Sequence, residues 1–149
     1  MFTSVDSQSS RGSEASLDAD GIVLLRCGDQ SHKAGKLFDL DDTLACDAII
    51  HKLIADAPGY LVVDMRNIIR SSAQARRFTP RQNLRAMAVV THSMLGRMLL
   101  GAFVSIARPR AQVKIFTCPD KAYVWVHRQY IEESLMWRSD GRQTQKKPD

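Results

Sequence analysis

Six arginines, Arg66, Arg70, Arg76, Arg77, Arg81 and Arg85, fall within one stretch of the chain. Guanidinium groups gathered near helix starts suit a phosphate or an acidic partner, because each presents a planar fork of donors. Asp64 heads the stretch, and the hydroxyls of Ser71 and Ser72 lie inside it. A small anion or a nucleotide is one ligand that such a loop could take. The plainer alternative is a solvated basic face, with Asp64 paired to one arginine at a strand end.

A second group of reactive residues is the run Phe38-Asp39-Leu40-Asp41-Asp42-Thr43-Leu44. It resembles the Asp-x-Asp-x-Thr signature of haloacid-dehalogenase-type phosphatases. That resemblance implies Asp39 as nucleophile toward phosphate, Asp41 as acid/base and a metal ion nearby, with Thr91 and Lys114 in later motif roles. The chemistry needs the first aspartate at the end of a buried strand, with further acidic ligands late in the chain. Here only Leu37 and Phe38 separate Asp39 from the polar stretch Ser31-His32-Lys33-Ala34-Gly35-Lys36, and a helix pattern starts at once. The last strand is followed by Asp120 alone. Helix capping by Asp39 is therefore the favoured role, with its carboxylate accepting from the backbone of Asp42.

Other reactive groups are scattered. His32, His51, His92 and His127 lack the spacing of metal ligands, which predicts ordinary surface or internally satisfied histidines. Ser71 and Ser72 lack the Gly-x-Ser-x-Gly turn of a hydrolase nucleophile and read as helix caps. No glycine-rich phosphate loop or dinucleotide fingerprint occurs, so neither a metal nor a cofactor is expected. Cys27, Cys46 and Cys118 are odd in number and far apart, which argues against a disulfide framework and for a reducing cytoplasm. The first ten residues lack the basic start and apolar core of a secretory leader. No membrane partner is expected either, since Arg97 interrupts the longest apolar run, Met94 to Ala107. The net charge of +5 is not gathered into one block, so a dedicated nucleic-acid binder is disfavoured.

These residues need a scaffold, and 149 residues with 44% apolar content suffice for one core. Residues 1–12 are serine-rich and expected to be disordered; residues 13–137 form a single domain; residues 138–149 form a polar tail. Glu14–Leu17 and Ile22–Cys27 predict a hairpin about the turn Asp18-Ala19-Asp20-Gly21. Gly28–Lys36 reads as a loop. Cys46, Ile49, Ile50, Leu53 and Ile54 make one apolar stripe on the helix that Asp39 caps. Leu61-Val62-Val63 predicts a buried central strand within the segment Tyr60–Ala73. Ser71 or Ser72 then caps a short helix ending at Arg77.

Arg85–Thr91 predicts the next strand, Ser93–Ile106 a helix, and Gln112–Thr117 the last strand. The final helix has Pro119 in its first turn, with Ala122, Trp125 and Val126 as its docking residues. The order β-β-α-β-α-β-α-β-α specifies an α/β fold: a mixed, mostly parallel sheet of about five strands covered by about four helices.

That order resembles the STAS domain, the anti-anti-sigma-factor-like fold, and more closely small uncharacterised actinobacterial proteins carrying a STAS-like domain. The residues that carry the likeness are Val62-Val63-Asp64-Met65-Arg66, Ser93-Met94-Leu95-Gly96-Arg97, Gly101-Ala102-Phe103, Arg108-Pro109, Ile115-Phe116-Thr117 and Ala122-Tyr123-Val124-Trp125-Val126. In regulatory STAS domains an Asp-Ser-Ser/Thr-Gly element after the central strand carries a phosphorylated hydroxyl. Arg70-Ser71-Ser72-Ala73 stands at that place, with Arg70 for the acidic residue and Ala73 for the glycine. The resemblance therefore implies a bacterial, cytoplasmic, non-enzymatic interaction or regulatory module and not a phosphorylation switch. It would bind a protein partner or a second copy of itself through Asp64, Arg66, Arg70, Ser71 and Ser72. The phosphatase reading on Asp39 and Asp41 and the anion reading on the arginine loop stand as its alternatives.

Overall fold

Strand β5 (Gly59–Asp64) carries the Leu61-Val62-Val63 run, and all six of its residues are buried. It lies inside a six-stranded sheet of order β1-β2-β3-β5-β7-β8, built with β1 (Ser4–Ser10), β2 (Ser13–Asp18), β3 (Ile22–Arg26), β7 (Leu84–Val90) and β8 (Gln112–Phe116). A computed structural model describes residues 2–77, 83–92 and 111–143 of the chain. Strands β1, β2 and β3 run antiparallel, whereas β3, β5, β7 and β8 are mutually parallel. A separate two-stranded parallel pair joins β4 (Leu37–Phe38) to β6 (Arg70–Ser71). The described helices are α1 (Gln30–Lys33), α2 (Leu40–Ile54), α3 (Ala73–Arg77) and α4 (Pro119–Gln143). The α/β class, the N-terminal hairpin and the parallel set are as the pattern predicts.

Alternation along the strands sorts the core into two layers, one on each face of the sheet. Val23, Leu25, Leu61 and Val63 face α2 and pack with Cys46, Ile49, Ile50 and Ile54. Ile22, Tyr60, Val62, Ala86, Ala88 and Val90 face the other way, where Ala122 and Val126 dock α4. Every residue of β5 is thus enclosed by a helix layer above and below.

Three expectations need correction. Residues 4–10 are not disordered but form β1, whose last residue Ser10 pairs with Ser13. Arg11 and Gly12 make the turn with φ of 51° and 75°, the left-handed pair a two-residue hairpin requires. The sheet therefore gains an outer strand. Its polar composition hides it, because it is exposed along most of its length and needs no apolar alternation. Within Gly28–Lys36 lies the single turn α1, capped by Asp29. The domain does not end at 137: α4 runs on to Gln143. The predicted helix over Ser93–Ile106 lies outside the described residues.

Candidate functional site

The parallel strands end in step, with Asp64 opposite Val90 and Val90 opposite Phe116. Main-chain bonds carry the alignment one residue further, from Cys27 N to Asp64 O at 2.9 Å, Met65 N to Val90 O at 2.9 Å and Thr91 N to Phe116 O at 3.0 Å. This is the carboxyl edge of an open α/β sheet, where such folds usually meet their ligands and partners.

Asp64 closes β5 there and is 8% exposed. Its Oδ1 accepts from the Arg66 backbone N–H at 3.1 Å and from Arg66 Nε at 2.9 Å, while Oδ2 accepts from Nη2 at 2.7 Å. Burial pushes the Asp64 carboxyl up, but the bonds from the Arg66 side chain and backbone outweigh it, so the group sits below the ordinary carboxylate value. The bond to Asp64 in turn holds the Arg66 guanidinium charged. The pair is a two-pronged fork fixed at both ends.

The chain leaving this fork is tied down on one side and open on the other. Asn67 Nδ2 donates to Gly28 O at 3.2 Å, and Ile68 leans on the α2 face of the core. Gly28 has φ of 73°, a conformation that favours glycine, and a Cβ there would sit 2.8 Å from Ile68 Cδ1 and 3.0 Å from His32 Cβ. Ile69 is 62% exposed, and Arg70 beside it is exposed as well. Ser71 pairs with Phe38 across β4 and β6. The Ser71 carbonyl accepts from Arg76 Nη1 at 2.6 Å. Ser72 Oγ accepts from Ala75 N at 3.1 Å and so caps α3, the role the sequence suggests.

The six arginines do not converge. Arg66 is spent on Asp64, Arg76 on Ser71, and Arg85 pairs with Glu133 of α4 at 3.4 Å. Arg70 and Arg77 are exposed on the α3 side, and Arg81 lies outside the described residues. What the fold brings together is Asp64 with Arg66, and, separately, Ile69, Arg70, Ser71 and Ser72 along the next turn of chain.

The aspartate motif has another geometry than phosphoryl transfer needs. Asp39 follows the two-residue β4, which is outside the main sheet, and caps α2 by accepting from Asp42 N at 2.9 Å. Asp42 returns the bond, accepting from Asp39 N at 3.0 Å, and Asp41 is exposed in the first turn. Among the described residues no group of three or more His, Cys, Asp or Glu side chains could hold a metal ion.

Around Asp42 the fold builds a polar cluster that sequence reasoning misses. Arg11, from the first hairpin, donates Nε to Asp42 Oδ1 at 2.8 Å. The fully buried His32 lies with Nε2 at 3.5 Å from Asp42 Oδ2. His32 Nδ1 lies 3.3 Å from the Asp29 backbone nitrogen and 3.2 Å from Asp29 Oδ1, so the ring bridges Asp29 and Asp42. Burial raises the Asp42 carboxyl, yet the Asp39 backbone, Arg11 and His32 together bring it below its ordinary value. The spacings Asp29-x-x-His32 and Asp39-x-x-Asp42 are both capping boxes, and that was the available signal. Their meeting with Arg11 depends on the strand β1 that composition concealed.

Comparison with known proteins adds one finding. The profile of one protein family, described as "Domain of unknown function (DUF7793)", matches residues 17–130. No curated protein matches the chain, and no solved structure does. Among the described residues no helix is long and apolar enough to cross a membrane.

Proposed function

We propose that this chain, which belongs to the DUF7793 family, is a non-enzymatic, STAS-like interaction or regulatory module that meets a protein partner or a second copy through the loop leaving β5. The observation that carries the reading is the fork: a buried carboxylate at the end of the central strand fixes Arg66, beside an Ile69 that is 62% exposed. An arginine already held in one rotamer loses little freedom on binding, and an exposed aliphatic next to it supplies an anchor. Arg70 extends the charged rim, while Ser71 and Ser72 shape the backbone beneath it. The dispersal of the other arginines weakens the small-anion alternative, and the use of Asp39 as a helix cap weakens the phosphatase. Three free thiols agree with a reducing, cytoplasmic setting.

Light scattering and affinity capture from a bacterial lysate test this. Self-association or partner binding should weaken about tenfold in Arg66→Ala, Ile69→Asp and Arg70→Glu, each of which removes part of one contact. A monomer that captures nothing overturns the proposal. Turnover of phosphomonoesters with magnesium that Asp39→Asn abolishes would replace it with the enzyme reading.

A further inference from the structure

Helix α4 has 25 residues and uses only one side of itself on the sheet, through the fully buried Ala122 and Val126. On its opposite side Val124, Ile131 and Leu135 are 57%, 42% and 59% exposed. At 3.6 residues per turn these three fall within about 40° of one line along the helix, with Arg128 on its margin. Between this flank of α4 and β8 lies a groove of about 330 Å³. Phe116, Val124 and Trp125 form its apolar floor, and the Phe116 and Trp125 rings lie 5.9 Å apart. Lys114, Lys121 and Arg128 stand on its rim, with Asp120 as the single acidic lining residue. Among the described residues no carboxylate pairs with any of these three cations. Lys114 Nζ is instead 5.5 Å from the centre of the Phe116 ring.

We propose that this groove and the stripe continuing from it dock an acidic amphipathic segment of a protein partner. Apolar side chains of that segment lie on Trp125, Val124, Ile131 and Leu135, and its carboxylates meet Lys114, Lys121 and Arg128. Lys121 and Arg128 stand about 10 Å apart along the helix axis, which spreads the positive charge along a line and suits carboxylates spaced along a chain. A second copy meeting this same face would set these cations against their own counterparts. The proposal rests on the reading of the chain as an interaction module and gives that module a second face, away from the Arg66 loop.

The full chain carrying Trp137→Phe keeps Trp125 as its only tryptophan, since the sequence has two. The probe is a synthetic helical peptide with leucines at heptad spacing and glutamates elsewhere, with a lysine-for-glutamate version as its counterpart. Trp125 fluorescence should change saturably with the glutamate peptide. The double variant Lys121→Glu, Arg128→Glu should bind it about tenfold more weakly and now take the lysine peptide. Leu135→Asp should weaken both. No saturable change, or binding indifferent to the charge reversal, overturns the proposal. So does binding only to phosphatidylserine vesicles, or self-association abolished by Leu135→Asp, since either gives the face to another occupant. Peptide binding lost in Arg66→Ala and Arg70→Glu but kept in the double variant moves the contact to the loop, sinking the groove while leaving the module intact. Peptide binding that persists in a chain whose Arg66 loop captures nothing does the reverse.

Discussion

Removing the Asp64 carboxylate would leave Arg66 without three hydrogen bonds at the end of the central strand. Arg66 is partly exposed and can return to water, so Asp64→Ala should cost about 2 kcal/mol in denaturant unfolding, less than a fully buried pair. An unchanged midpoint would show the fork to be ornamental to the fold. The opposite truncation behaves differently. In Arg66→Ala the side-chain bonds to the carboxyl are gone while the backbone bond and the burial remain, so Asp64 should titrate higher than in the wild type, as read from its side-chain carbon by NMR. The stability that Asp64 adds above about pH 4 shrinks in that variant, and its acid-side loss is correspondingly smaller. The Asp-x-Arg spacing made this pairing legible. Arg76 and Arg85 were not, because their partners Ser71 and Glu133 are set by where α3 and α4 lie. His32 was legible only as a satisfied histidine, since Asp42 and Arg11 reach it from two other elements.

Among the elements, α2 is the best understood, because its cap, its acidic first turn and its apolar stripe all act together. Asp39→Ala should cost about 1 kcal/mol, a fall of about 3 °C in thermal midpoint. Its other end is strained. Ala55 closes the helix at φ 48° and ψ −120°, a region that suits glycine and penalises a Cβ. Ala55→Gly should therefore raise stability by about 1 kcal/mol, an outcome that calorimetry decides by sign alone. Elements with an apolar face were readable from period, as β3, β5 and α2 show. Of those without one, α3 was readable from its serine cap, whereas β1 and α1 were not. β1 is held by hydrogen bonds to β2 and by Arg11 rather than by burial, and α1 is a single turn whose signature is its capping box.

At the scale of the whole molecule, three carboxyls among the described residues sit below their ordinary values. Asp29 is held at about 2, chiefly by the Ser31 hydroxyl, and Asp42 and Asp64 are lowered by the bonds described above. A group whose folded value lies below its unfolded one stabilises fully above about pH 4 and loses that contribution as pH falls. Urea midpoints should be level from neutrality to about pH 5 and fall below about pH 4; a flat profile down to pH 3 would contradict the lowered values. The sheet's outline was legible from alternation, since α2 and α3 each lead the chain on to the next parallel strand. Its N-terminal border was not. That border carries a consequence for the order of assembly. Strands β1, β2 and β3 pair through short turns, so they close early, whereas β5, β7 and β8 each join the strand laid down before them. A chain emerging from the ribosome would raise a three-strand template first and extend it from one side only, each newcomer finding its neighbour already in place.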